Sequence, residues 1–251
     1  MNEQIKILGI KINDISYSQT IAKIDRFIAS KEPHQIITVN PEIIMHAQKD
    51  NNYKQILNNS NINVADGSGI IWASKYKKQN IKHKVTGIDL IYKIAEISEK
   101  KKYKIFLLGG KNRVAYYSAE KLHQQYPKLH IVGFFEGFPI IKDNLTQKEN
   151  LENLKIVNQI IKTRPDILLV AYGAPKQEKF IYKYKEKLNI PVMIGVGGSF
   201  DFISGKIKRA PKWIQDLHLE WLYRVVQQPS RISRIFNATI LFPLRVIFQK
   251  K

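Results

Sequence analysis

Seven short apolar runs punctuate the chain: KILGIKI (6–12), HQIITVN (34–40), INVAD (62–66), KIFLLGG (104–110), HIVGFF (130–135), DILLVAYG (166–173) and PVMIGVGG (191–198). Most are continuously apolar rather than alternating and are bounded by Gly or Pro, the pattern of strands buried on both faces of a parallel sheet. Between them lie segments with apolar residues at helical spacing: SQTIAKIDRFIAS, PEIIMHAQKDNNYKQIL, GIDLIYKIAEISEK, VAYYSAEKLHQQY, NLENLKIVNQIIKT and QEKFIYKYKEKL. Strand–helix alternation predicts an α/β fold of Rossmann-like type, a mainly parallel sheet with helices on both faces. Residues 1–210 read as this core. At Pro211 the composition changes: a Trp-rich helix (KWIQDLHLEWLYRVVQQ) runs to Pro229, and SRISRIFNATILFPLRVIFQKK follows. Residues 211–251 therefore read as a C-terminal helical basic appendage.

Charge changes the picture in that appendage. The formal net charge is +20, but 33 of the 41 basic residues are lysines scattered over the whole chain, a solvated surface. Arginine is distributed otherwise: Arg224, Arg231, Arg234 and Arg245, four of the eight, fall in the last thirty residues, where no Asp or Glu occurs. Arginine grips phosphate bidentately, so the tail is the place to look for an anionic partner. The tail is too short and too charged to span a bilayer. It reads either as an amphipathic segment lying in the membrane interface or as a helix docked on the domain or another subunit, with Pro243 breaking its period. The N-terminal run MNEQIKILGIKIND lacks the apolar core of a signal peptide, which favours the cytoplasmic side. There is no cysteine, so disulfides, thiolate nucleophiles and Cys-type zinc sites are excluded.

In parallel α/β sheets ligands sit beyond the carboxyl ends of the strands, so polar residues where strands hand over to helices carry the candidate chemistry. In ITVNPEII, Asn40 caps a helix that Pro41 opens, and Thr38 and Asn40 are also placed to hydrogen-bond a ligand. In VADGSG, Asp66 either caps the next helix or presents a carboxylate to a substrate, with Gly67 and Gly69 allowing close approach. In VTGIDL, Thr86 and Asp89 are cap or ligand groups. FLLGGKNRVA resembles a phosphate- or nucleotide-binding turn but lacks the G-x-G-x-x-G spacing, and packing of Gly109 and Gly110 explains it as well. In LLVAYGAPKQEKFI, amides near Gly173 and the side chain of Gln177 are placed to face a diphosphate or base. Asp201, after the last strand, either reads a nucleobase N–H or caps a turn. No D-x-D pair, H-x-x-x-H pair, P-loop or G-x-S-x-G elbow occurs. An enzyme built this way would neutralise phosphate with arginine and backbone amides instead of a metal.

Taken in order, TVNPEII, VADGSGIIWASK, VTGIDL, FLLGG, GFFEGF, PDILLVAYGAPKQEKFI and GVGGSFDFISGKIKRAPKWIQDLHLEWLYRVVQQPSR resemble the WecG/TagA/CpsF glycosyltransferase family, from about residue 5 to residue 235. The resemblance implies an inverting, metal-independent enzyme with no cofactor. It would move N-acetylmannosamine, or its uronic acid, from a UDP-sugar to undecaprenyl-diphosphate-linked N-acetylglucosamine in cell-wall or surface polysaccharide synthesis. Such an enzyme works as a peripheral protein on the inner face of the plasma membrane, and a homo-oligomer is compatible with it. By the same resemblance Asp66 is the general base, Thr38 and Asn40 lie near the sugar, and Gln177 lies near the donor. Arg224, Arg231 and Arg234 then meet the UDP or lipid diphosphate. Two other classes compete. A basic nucleic-acid-binding protein would explain the charge, but no aromatic–basic stripe accompanies it and no nucleic-acid partner is expected. A nicotinamide oxidoreductase would explain the fold, but its fingerprint is missing.

Overall fold

The apolar runs assemble into one eight-stranded sheet in the computed structural model, which describes residues 4–137, 140–141, 145–217 and 219–249. Phe138 of the GFFEGF run, His218 and the closing Lys250 and Lys251 lie outside the described residues. The strands are β1 (Gln4–Ile7), β2 (Ile10–Asn13), β3 (His34–Val39), β4 (Ile62–Ala65), β5 (Lys104–Gly109), β6 (His130–Phe135), β7 (Ile167–Ala171) and β8 (Val192–Gly195). Their spatial order is β1-β2-β4-β3-β8-β7-β5-β6. All neighbours are parallel except β1 and β2. On one side of the β3–β8 boundary the chain runs outward from β3 to β4, and on the other it runs outward from β5 to β6. Such a reversal leaves a crevice at the carboxyl ends of the central strands.

Both faces of the sheet are covered, as continuous apolar strands require. Ile36 and Ile194 point to one layer, shared with α1 (Tyr17–Ser30), α5 (Gly87–Lys101), α6 (Val114–Gln125) and α9 (Ser199–Ile203). Ile37 and Val39 point to the other, where α2 (Pro41–Ala47), α3 (Asn51–Asn58) and α4 (Ser68–Tyr76) pack. Beside them α7 (Gln147–Thr163) and α8 (Lys176–Leu188) cover Phe106, Leu168 and Met193.

Four elements differ from the sequence expectation. KILGIKI is a hairpin rather than one strand, because Leu8 and Gly9 both take positive φ (49° and 78°) and reverse the chain. The expected single helix over 41–57 is two, since the Asp50 carboxylate accepts from the Tyr53 amide at 2.9 Å and starts α3 afresh. The Trp-rich helix is also two, α10 (Lys212–Asp216) and α11 (Glu220–Gln227). Pro243, expected to break the tail, is carried by it: α12 (Ile232–Phe236), a π-helical stretch (Asn237–Leu241) and α13 (Phe242–Phe248) follow one another. The wider π turn precedes the residue that cannot donate a backbone hydrogen bond.

Of the two readings of the tail, the docked helix is realised, and it leaves one apolar face uncovered. Phe242 and Val246 are fully buried against the α2 and α4 layer, while Phe236, Ile240, Leu244, Ile247 and Phe248 stay exposed. Phe242→Ala is expected to weaken this docking by roughly 3–5 kcal/mol, the range for a buried Phe. The check is amide-exchange protection across α13, and undiminished protection would place the anchor elsewhere. Among the described residues no helix is long and apolar enough to cross a membrane.

Candidate active site

At the carboxyl ends of β3, β4, β7 and β8 lies a cavity of about 1340 Å³, roofed by α11 and α12. Pockets for a single small ligand measure roughly 300–1,000 Å³, so this one has room for two. The structure brings Thr38, Asn40, Asp66, Gly173, Gln177, Asp201, Arg224, Arg231 and Arg234 all to its walls. What each side chain does there differs.

Asp66 follows β4, and its amide donates to the Val39 carbonyl at 2.7 Å, extending the β3–β4 ladder by one residue. Gly67 then turns the chain with φ +97°, and the N-cap position of α4 falls on Gly67 rather than on Asp66. The carboxylate is therefore free of the capping role and faces the cavity, partly open to it. Protein packed around it keeps bulk water away. That burial, with smaller contributions from the nearby Glu220 and Asp89 carboxylates, raises its pKa from 3.8 to about 7, against the opposing pull of the Gly87 amide and Lys84.

Gly87 is held in place by a cap and an ion pair. Thr86 caps α5: its Oγ1 accepts from the Asp89 amide at 3.3 Å and donates to Asp89 Oδ2 at 2.7 Å. Asp89 in turn receives Arg209 on both carboxylate oxygens, at 2.6 and 2.9 Å. Thr86 and Asp89 thus act as the cap and as an ion-pair partner.

Thr38 and Gln177 are engaged within the protein. Thr38 Oγ1 donates to the Gly195 carbonyl at 3.1 Å. Gln177 Oε1 accepts from the amides of Gly173 (3.1 Å) and Gly197 (2.9 Å), and its Nε2 donates to Glu178 Oε1 at 2.7 Å. Gln177 therefore ties together the loops that follow β7 and β8. Beneath it Glu178 is fully buried and also accepts from the Tyr53 hydroxyl at 3.0 Å. Burial raises the Glu178 pKa, and those two donors oppose the rise. Asn40 caps α2 by accepting from the Ile43 amide at 3.0 Å, with Pro41 in the first turn. Asp201 lies inside the first turn of α9, not at its cap, which is Gly198.

The roof is cationic. Arg224 on α11 lies against Gly198, where a β-carbon would collide with the guanidinium, and 4.8 Å over the Phe202 ring. Its Nε and Nη2 are buried without a hydrogen-bond partner. Burial first, then Arg231, lowers its pKa to about 10. Burial and Arg234 likewise depress Arg231. Arg234 Nη1 lies 3.7 Å from Glu42 Oε1. A guanidinium with two buried nitrogens lacking hydrogen-bond partners at a cavity wall has the properties of an anion site. The first turns of α4, α5 and α8 also open on the cavity through Ser68, Gly87 and Gln177, adding helix N-terminal dipoles of the same sign. Among the described residues no three His, Asp or Glu side chains converge to hold a metal ion.

Sequence reasoning missed Glu42, Lys84, Arg209 and Glu220, all on the cavity wall. Two signals were available. Glu220 and Arg224 stand four apart on one helix face, and Arg209 is an arginine within the lysine-rich run KIKRAPK.

Comparison with known proteins places the chain among glycosyltransferases. Over 211 residues the chain is 36% identical to N-acetylglucosaminyldiphosphoundecaprenol N-acetyl-beta-D-mannosaminyltransferase of Bacillus subtilis (strain 168), covering 84% of this chain and 78% of that protein. A protein of the same description from Staphylococcus aureus (strain MW2) is 32% identical over 242 residues, 94% of this chain and 90% of its own. The sequence profile of the glycosyl transferase WecG/TagA/CpsF family matches residues 5–251. Matched over nearly its whole length in this way, the chain belongs to the WecG/TagA/CpsF family of glycosyltransferases.

Proposed function

We propose that this protein is an inverting hexosyltransferase that moves N-acetylmannosamine from UDP-ManNAc to undecaprenyl-diphosphate-linked N-acetylglucosamine. One observation carries the reading: a carboxylate titrating near neutrality, Asp66, shares a cavity with a buried guanidinium, Arg224, whose Nε and Nη2 have no protein partner. The relatives named above are described as acting on the same acceptor with the same sugar.

In this mechanism the acceptor hydroxyl attacks the anomeric carbon from the face opposite UDP. The new bond forms between acceptor oxygen and sugar carbon, and the bond from that carbon to the diphosphate oxygen breaks, its electron pair leaving with UDP. The hydroxyl proton passes to Asp66, whose pKa near neutrality suits a general base. Charge growing on the diphosphate meets Arg224, Arg231 and Arg234, preorganised so that no metal is required. Gln177 keeps the loops around Gly173 and Gly197 in position, and Thr38 and Asn40 line the sugar end of the pocket.

In this reading the appendage docks at the inner face of the plasma membrane. Trp213, Leu217, Val226, Ile232, Phe236 and Phe248 are exposed there and stand among arginines and lysines, the composition of a surface that enters the lipid interface. The test presents lipid-diphosphate N-acetylglucosamine in vesicles with and without anionic lipid, together with UDP-ManNAc, its uronic acid or UDP-GlcNAc. The expected result is turnover of UDP-ManNAc, faster on anionic vesicles and unchanged by EDTA. Turnover of none of the three would overturn the proposed reaction, and loss of activity in EDTA would overturn its metal independence.

A further inference from the structure

We infer that Arg209 is a positioning residue that sets the arginine-bearing helix α11 against the turn holding Asp66. It lies in the loop between α9 and α10 and reaches two ways. Its terminal nitrogens grip Asp89 on α5 in the core at 2.6 and 2.9 Å. Its Nε makes no hydrogen bond but lies 3.5 Å from Glu220 Oε1 as an ion pair, on the first residue of α11. Asp89 is two residues beyond Gly87, whose amide holds the Asp66 carboxylate, and Tyr17 secures the same turn by accepting from the Thr86 amide at 2.8 Å. Glu220 is one helical turn before Arg224, on the same face. A single guanidinium therefore connects the support of the base to the support of the buried cation.

The same loop holds the other end of α11. Gln227 accepts from the Lys208 amide at 3.0 Å and donates to the Lys208 carbonyl at 2.8 Å. Residues 208 and 209 thus fix α11 at its first and last turns, leaving Arg224 between them. Only arginine suits the position, because its rigid fork serves both oxygens of Asp89 while a fifth N–H points elsewhere; a lysine ammonium is one point charge. The ion pairs are partly exposed, so their contribution to overall stability is small. Their contribution to geometry is large, since misplacing a catalytic group by about 1 Å lowers rates on the order of 100-fold.

This inference rests on the proposed reaction for what Arg224 does, but not for where α11 sits, and the test separates the two. Arg209→Lys, Glu220→Gln and the double variant are made in the full chain. Amide exchange is followed over α11 and over β3 and β7, and kcat and KM are measured with UDP-ManNAc. Arg209→Lys is expected to speed exchange over α11 roughly tenfold with the core strands unchanged. It should also lower kcat about 10–100-fold while the donor KM moves by less than about threefold, because Arg224 acts mainly as charge develops. Adding Glu220→Gln to Arg209→Lys should change α11 exchange little further, as partners in one contact are not additive. Unchanged α11 exchange in Arg209→Lys, or full additivity of the two substitutions, would overturn the inference even if the chain turned over no UDP-sugar at all.

Discussion

Asp66→Asn is expected to lower kcat by roughly 10²–10⁴-fold, the range for loss of a general base, and at the same time to stabilise the fold above neutral pH. The second expectation follows from the direction of the shift. The Asp66 carboxyl titrates near 7 in the folded chain against 3.8 ordinarily, so between those values the folded state binds more protons than the unfolded one. Stability therefore rises as pH falls through 7 toward 4, and above 7 the ionised carboxylate weakens the fold, by on the order of 4 kcal/mol at most. Asparagine never carries that charge. Its melting temperature should exceed that of the native chain at pH 8, by about 2–4 °C per kcal/mol in a chain of this size, and the advantage should disappear toward pH 4. The native rate should climb with pH through an acid limb near 7 as the base ionises. Initial rates and thermal unfolding at pH 5 to 8.5 test both. Near-normal turnover by a folded Asn variant would remove Asp66 from the mechanism, and a lower melting temperature at pH 8 would show that its charge supports the fold.

The sheet was legible because its strands are apolar on both faces, which little else in a chain of this length resembles. Breaks in elements were less so. A leucine at positive φ, Leu8, turns KILGIKI into a hairpin, and residue type gives little warning of that conformation. The split at Asp50 was available as a capping signal and was masked by the apolar period continuing through it. In the site, the strand-end positions of Thr38, Asn40 and Asp66 and the helix-start position of Gln177 were legible, since the chain places few polar groups where buried strands hand over to helices. Their partners were not. Gln177 is engaged with Gly197, 20 residues on, and Asp89 with Arg209, 120 residues on; only folding reveals such pairs. The same holds for Asp66. Sequence left capping and catalysis open, and it took the placement of Gly67 at the helix start to free the carboxylate.

Arg224→Met is the complementary test at the opposite wall, and it too should separate stability from activity. The methionine retains much of the aliphatic contact with Phe202 and removes a guanidinium with two buried, unpartnered nitrogens. A buried cation whose nitrogens lack hydrogen bonds weakens a fold, and burial depresses this one to about 10 against the opposing pull of Asp201, Glu42 and Glu220. The variant without ligand should therefore be as stable as the native chain or more so. With ligand the order reverses. In the native chain UDP at roughly 100 times its Kd should add about 2.7 kcal/mol, which for a chain of this length raises the melting temperature by about 5–10 °C. In Arg224→Met most of that rise should vanish, since free UDP carries on its terminal phosphate the charge that the donor develops only as the bond breaks, and would lose its least solvated cation. The rate should fall by about 10²–10³-fold, the magnitude for one preorganised charge stabiliser. Arg234→Met offers the contrast: its guanidinium is largely exposed and near Glu42, so its loss should reduce the rate far less. If Arg224→Met kept both its turnover and its UDP-induced stabilisation, the buried cation would be a structural element of the appendage and the leaving diphosphate would have to be held elsewhere in the cavity.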